Sequence, residues 1–222
     1  MGAAQTIAIG ALVGFIAWRV LHWNDTDPET GETDDSAADV VDLGYQAIDY
    51  GSAIFEQTDD MTAQANLRAF LAAIRLGEGT SDDRGYSRLF GGGTFTDYST
   101  HPGLNGWGGV RLSAQMARDA GYADGVAVST AAGAYQITRT TYRGAAAALG
   151  VSDFSPDTQD RIAIYLIRQK GALGDVLAGR AEVAAGKVRK VWASLPNAGY
   201  GQRTVSMQAF LNQYTNAGGE IA

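Results

Sequence analysis

At 222 residues and 45% hydrophobic content, the chain is long enough for one well-buried domain with appendages. It has no cysteine, which excludes a disulfide framework and thiol chemistry, and its two histidines, His22 and His101, lack ligand spacing, which argues against a zinc site; no cofactor is expected. The net charge of −7 is local: Asp25, Asp27, Glu29, Glu32, Asp34, Asp35 and Asp39 fall in one stretch without a base, and removing those seven from the 24 acids leaves as many as the 17 Lys plus Arg, so no basic surface for nucleic acid is expected.

Residues 1–23 begin with an uncharged apolar run from Ala3 to Trp18. As a helix that run reaches roughly 24 Å, short of a bilayer core of about 30 Å, unless Arg19 snorkels and the segment continues to Trp23. No Lys or Arg precedes the run, which argues against a cleaved secretory signal. The expectation is a weak membrane anchor, with a buried helix in a protein assembly as the alternative. Residues 24–38 are acidic and free of aromatics, the composition of a self-repelling disordered linker. Residues 39–60 place Val41, Tyr45, Ile48 and Phe55 on one face of an amphipathic helix.

The domain expected over 61–222 starts with a helix from Thr62 to Leu76, where Leu67, Phe70, Leu71 and Ile74 form one apolar stripe. Gly77 and Gly79 end it and bracket Glu78. The Glu78 carboxyl then lies at the negative end of the helix dipole, where its charged form is disfavoured, a suitable place for an acid that holds a proton near neutral pH. For an arbitrary Glu the commoner reading is a solvated turn residue. Between Tyr86 and Ser99, three glycines (Gly91, Gly92, Gly93) followed by alternating aromatic and β-branched residues predict a hairpin. Helices are expected at 112–120, 138–149, 156–170, 182–194 and 205–216; Ser155 and Pro156 give the third a clear start. The fold class is α+β, mainly helical with a small antiparallel sheet.

Four segments occur in order after Glu78: Phe90 to Pro102, Ser129 to Ile137, Asp153 to Pro156, and Trp192 to Gln202. With the Glu78 turn they resemble the lambda-type phage endolysins, peptidoglycan lytic transglycosylases, over about residues 67–219. They are also similar to the wider goose-lysozyme and soluble transglycosylase superfamily, with a lysozyme-like fold. The resemblance implies that Glu78 is catalytic and that Asp97, Tyr98, Ser129, Gly133, Tyr135, Gln136, Tyr200 and Gln202 bind substrate. Read as residues alone, Tyr135 and Gln136 could equally be a core tyrosine and a capping amide, and Asp97 could simply bond turn backbone. Trp192 and Leu195 read as core. Many superfamily members carry Ser directly after the catalytic Glu, where this chain has Gly79; Thr80 or Ser81 is then expected to supply the hydroxyl partner.

Phage-T4-type muramidases have an Asp nine residues after their Glu and a Thr fifteen after it, offsets that here hold Ser87 and Gly93. The resemblance therefore implies a one-carboxylate route leaving 1,6-anhydro-N-acetylmuramic acid. A hydrolytic muramidase pairing Glu78 with Asp97 or Asp83 is the alternative within enzymes. A structural virion or tail protein with a glycan-binding lysozyme-like domain is the alternative outside them. The implied partners are peptidoglycan, a membrane through the N-terminal segment, and other virion proteins. The implied location is the host periplasm and inner membrane, or the virion. Arg19, the basic residue beside the apolar run, would keep the C-terminal side cytoplasmic by the positive-inside rule, opposite to what a wall-degrading domain needs.

Overall fold

The apolar stripe beginning at Leu67 generates the central element of the domain. The computed structural model describes residues 61–198 and 204–222. The apolar anchor, acidic linker and amphipathic helix expected over 1–60 lie outside the described residues, as do Tyr200 and Gln202. Helix α1 (Met61–Glu78) buries Leu67, Phe70, Leu71 and Ile74, each contributing about 2 kcal/mol as side-chain area removed from water. It packs against the short helix α5 (Leu173–Leu177) and the last helix α7 (Met207–Asn216). Phe70 meets Phe210 edge-to-face, with ring centroids 5.4 Å apart. The tail is stitched to the same helix: Glu220 N–H donates to Asn66 Oδ1, and Asn66 Nδ2 donates to Leu177 O.

Helices α3 (Arg139–Leu149) and α4 (Pro156–Gln169) pack on each other and close the main core. Thr138 and Ser155 cap their first turns, and Pro156 occupies the first position of α4, where its missing N–H costs nothing. A smaller apolar cluster gathers Phe90, Leu112, Ala117, Ala120, Ala127, Ala131 and Ala193 around helix α2 (Ala114–Asp119). Trp107 packs against both clusters.

Three elements differ from the sequence expectation. Antiparallel pairing occurs between β1 (Val110–Arg111) and β2 (Val128–Ser129), with Val110 opposite Ser129. The glycine-rich segment does reverse the chain, but its pairing is limited to isolated bridges, Arg88 with Thr94 within the segment and Leu89 with Ala132 outside it. Gly91 and Gly92 take positive φ, Leu89 N–H bonds Gly93 O across the turn, and Phe95 N–H bonds Ser87 O beyond it. The helix expected over 182–194 is α6 (Ala181–Val188), and the chain leaves it in a series of turns. There burial of Trp192 and Leu195 outweighs helical periodicity, and the Trp192 indole donates to Tyr135 O at 3.1 Å. The short helix α5 was not evident from periodicity at all.

His101 holds the turn Pro102–Leu104 to the segment entering α3. Its Nδ1 accepts from Gly103 N–H at 3.0 Å, so its Nε2 carries the proton and donates to Ile137 O at 2.8 Å. Burial against Tyr142 and Phe154 lowers its pKa from 6.5 to about 4. The unfolded chain therefore binds more protons between these values. The stability His101 supplies is complete above pH 6.5 and is lost as pH falls towards 4. In His101→Gln, the decline of Tm across this window should be shallower than in the parent chain, while Tm at pH 7 falls because Gly103 N–H loses its acceptor. Parallel acid slopes in thermal melts of the two chains would refute the assignment.

Candidate active site

Glu78 is the last residue of α1, and its position follows from how that helix ends. Gly79 takes φ +67°, its N–H bonds Leu76 O, and Thr80 N–H bonds Arg75 O at 2.9 Å, the paired bonds of a left-handed helix terminus. A serine at 79 would have to place a Cβ in that left-handed conformation, so glycine there is what the local geometry favours. Arg75 secures the turn by donating twice to Thr80 O, at 3.0 and 3.2 Å, with its guanidinium 4.7 Å above the Tyr86 ring.

The Glu78 side chain does not follow the turn into solvent. The residue is 1% exposed, and Ser194 donates its hydroxyl to Oε1 at 2.5 Å. Oε2 is buried and has no hydrogen-bond partner among the described residues. Burial raises the Glu78 pKa from 4.5 to about 8, the Ser194 bond pulling it partly back. At neutral pH the group is a neutral carboxylic acid, able to donate a proton in a site that excludes water.

The hydroxyl partner is thus Ser194, neither Thr80 nor Ser81. Thr80 is buried and donates to Ala134 O at 2.5 Å, tying the Glu78 turn to the segment 133–137. Ser81 is exposed. Ser194 was missed because 182–194 read as one helix, and nothing in the local sequence links it to a residue on α1. The one available signal is Gly77: a Cβ there would lie 2.8 Å from Ser194 Oγ, so the glycine admits the hydroxyl.

Segment 129–138 is almost wholly buried. Gly133 has φ +76°, and a Cβ on it would stand 2.1 Å from Gln159 Oε1. Gln159, fully buried, accepts from Ala134 N–H and donates to Tyr86 O and Phe154 O, which fixes the segment to α4. Tyr135 is 1% exposed and donates to Asp160 Oδ1 at 2.6 Å, an atom Tyr86 also reaches at 2.8 Å. Burial raises the Asp160 pKa. The Tyr135 ring is therefore core, held by its hydroxyl, and presents no flat face for a sugar.

Gln136 is also fully buried and takes φ +47°, rare for a residue with a side chain. Its amide nitrogen caps Gly133 O at 3.0 Å, and its Oε1 has no partner among the described residues. Ser129 is buried with Oγ accepting from Ala131 N–H. Asp97 is exposed and spends both oxygens on its own loop, accepting from Ser99 N–H at 2.8 Å and Asn105 Nδ2 at 2.7 Å. Bonds from Ser99, then Asn105, hold its carboxyl below the usual carboxylate range. Tyr98 is half-buried, packed edge-on against Phe95. The structure thus brings Glu78, Thr80, segment 133–137 and Ser194 together, and leaves Asp97 and Tyr98 on the separate loop that bonds Phe154 N–H through Tyr98 O. Among the described residues no group of His, Asp and Glu could hold a metal ion, and no helix is long and apolar enough to cross a membrane.

Residues 68–221 match the family model described as Endolysin. The chain is 40% identical over 164 residues to the endolysin of Escherichia phage P2, covering 69% of this chain and 93% of that protein. It is 34% identical over 160 residues to the endolysin of Escherichia phage lambda, covering 69% and 92%. Among solved structures it is similar to bacteriophage lambda lysozyme complexed with a chitohexasaccharide, with a TM-score of 0.59 and 31% identity over 71% of this chain and 97% of that one. A second structure, lysozyme from bacteriophage lambda, gives a TM-score of 0.58 at 30% identity over the same shares.

The buried acid has a measurable cost to the fold. The native state keeps the Glu78 proton up to about pH 8, whereas the unfolded chain releases it near 4.5. The native state thus binds more protons in that window, and stability falls as pH rises through it. Glu78→Gln should therefore raise Tm by at least about 4 °C at pH 8, with a much smaller gain at pH 5. Equal Tm for the two chains at pH 8 would contradict a buried, protonated carboxyl.

Proposed function

The chain belongs to the endolysin family, and on that premise we propose that it degrades peptidoglycan as a lytic transglycosylase with Glu78 as acid and then base. The observation that carries the reading is the Glu78 carboxyl: buried, protonated at neutral pH, one oxygen engaged by Ser194 and the other without a partner among the described residues. Glu78 gives its proton to the oxygen of the β-1,4 bond between N-acetylmuramic acid and N-acetylglucosamine, and the bond from that oxygen to C1 breaks. The substrate's own N-acetyl group stabilises the cationic C1. The C6 hydroxyl of the same sugar then bonds to C1, and its proton passes to the ionised Glu78. No water is consumed, and the acid is regenerated.

A single carboxylate is supported by what the neighbouring acids do. Asp97 is committed to its own loop, and Asp82 to Arg88. Ser87 and Gly93 stand where T4-type muramidases have Asp and Thr. On this reading Gln136, whose amide oxygen has no partner among the described residues, and the loop carrying Asp97 and Tyr98 are the described residues proposed to meet the glycan, while Ser129, Gly133 and Tyr135 build the wall behind them. Tyr200 and Gln202 follow directly on the Ser194 segment in sequence and are proposed to join the site. The solved relative bound to a chitohexasaccharide supports an N-acetylated glycan as ligand. Residues 1–60 are proposed to deliver the domain, holding it at the host inner membrane or within a virion, with the wall as its target.

Glu78→Gln should lower wall-clearing turnover at least about a hundredfold while the chain stays folded. A folded variant with near-parental activity would remove Glu78 from the chemistry. Mass spectrometry of digested murein should show muropeptides ending in 1,6-anhydro-N-acetylmuramic acid. Products one water heavier would assign a hydrolase, and Asp97→Asn or Asp83→Asn should then also abolish activity. A chain beginning at Asp59 should match the full chain on isolated murein but lose lysis of intact cells. Inactivity of the shorter chain on isolated murein would show that residues 39–60 belong to the catalytic domain.

A further inference from the structure

Ser194 lies at the junction of the two apolar clusters. Its neighbours Trp192 and Leu195 are buried in the main core, and Ala193 belongs to the smaller one. The residue is 8% exposed, and its carbonyl accepts from Val205 N–H at 2.9 Å. The Trp192 indole bond to Tyr135 O fixes the segment from the other side. The hydroxyl is therefore delivered by a rigid backbone to one place, against Glu78 Oε1 at 2.5 Å. Gly77, one turn-residue earlier on α1, clears the space it occupies.

Resting on the assignment of Glu78 as the acid, we propose that Ser194 is a positioning residue: its hydroxyl locks Oε1 as the acceptor oxygen, so that Oε2 carries the catalytic proton and receives it back. Gly77 is the second half of this device. When Oε2 gives up its proton, the hydroxyl bond to Oε1 becomes charge-assisted and strengthens, which favours the ionised state in a site with little water. The interaction is thus worth more in the transition state than in the ground state, the condition for raising kcat. Ser194 does not need to touch the glycan to do this.

The test is kinetic, on the full chain, with soluble murein fragments as substrate. In the parent chain kcat/KM should fall above about pH 8, where Glu78 loses its proton. Ser194→Ala should lower kcat about tenfold to a hundredfold with KM nearly unchanged, and move that basic limb to higher pH, because the bond it removes favours the ionised carboxyl. Ser194→Thr, which keeps the hydroxyl, should return the limb towards its parental position. Gly77→Ala should reproduce the Ser194→Ala limb shift by displacing the hydroxyl, and the double variant should be no worse than Ser194→Ala alone, since both remove one bond. Should the threonine variant fail to fold, the Gly77→Ala arm still decides. An unmoved limb in both Ser194→Ala and Gly77→Ala, or additive losses in the double variant, would overturn the role of Ser194. If Glu78→Gln is inactive in that case, the assignment of Glu78 stands; an active Glu78→Gln would overturn the assignment itself.

Discussion

A protonated carboxyl at the buried end of a helix is the constraint around which this domain is arranged. Glu78 is buried away from water at the end of α1, so its proton is retained to about pH 8. Such a group destabilises the fold above its ordinary pKa, and the surrounding structure must hold it in place regardless. It does so by anchoring α1 on both sides: α5 and α7 cover its apolar stripe, the tail bonds Asn66, and Arg75 fastens the turn that follows Glu78. Two distant segments then converge on that turn. Thr80 bonds the 133–137 segment, and Ser194 bonds the carboxyl itself.

The most motif-like stretch of the chain proves to be largely scaffold. Gly133 is a glycine because Gln159 occupies the space a side chain would need. Tyr135 is buried, with its hydroxyl on Asp160 and its carbonyl under the Trp192 indole. These contacts force Gln136 into a left-handed conformation that a residue with a side chain adopts only when its surroundings dictate it. Strain of this kind, in a fully buried loop bonded to the turn that carries Glu78, suits a preorganised wall of a binding site better than a mobile one. A motif can therefore mark a functional region while most of its residues act by shaping backbone.

The path of the chain after α6 shows how tertiary contacts replace local preference. Helical periodicity runs on to residue 194, yet the helix stops at Val188. Ending it early places Trp192 and Leu195 in the main core and turns Ser194 towards Glu78, so the same burial that overrides helix propensity builds the acid's hydrogen-bond partner.

The α1 stripe, the glycine brackets around Glu78, the cap at Ser155, and the core placement of Trp192 and Leu195 were all legible in the amino-acid sequence. Each depends on contacts within a few residues or on simple partition from water, and these leave a local pattern. The ordered motifs carried the family as well. What the sequence left open concerned pairs far apart in the chain: the β1–β2 pairing, the choice of Ser194 over Thr80 or Ser81, and the burial of Tyr135. Their outcomes depend on which surfaces meet once the helices pack. The hydroxyl that reaches Glu78 comes from a residue 116 positions away, and no periodicity, cap or spacing records a contact at that separation.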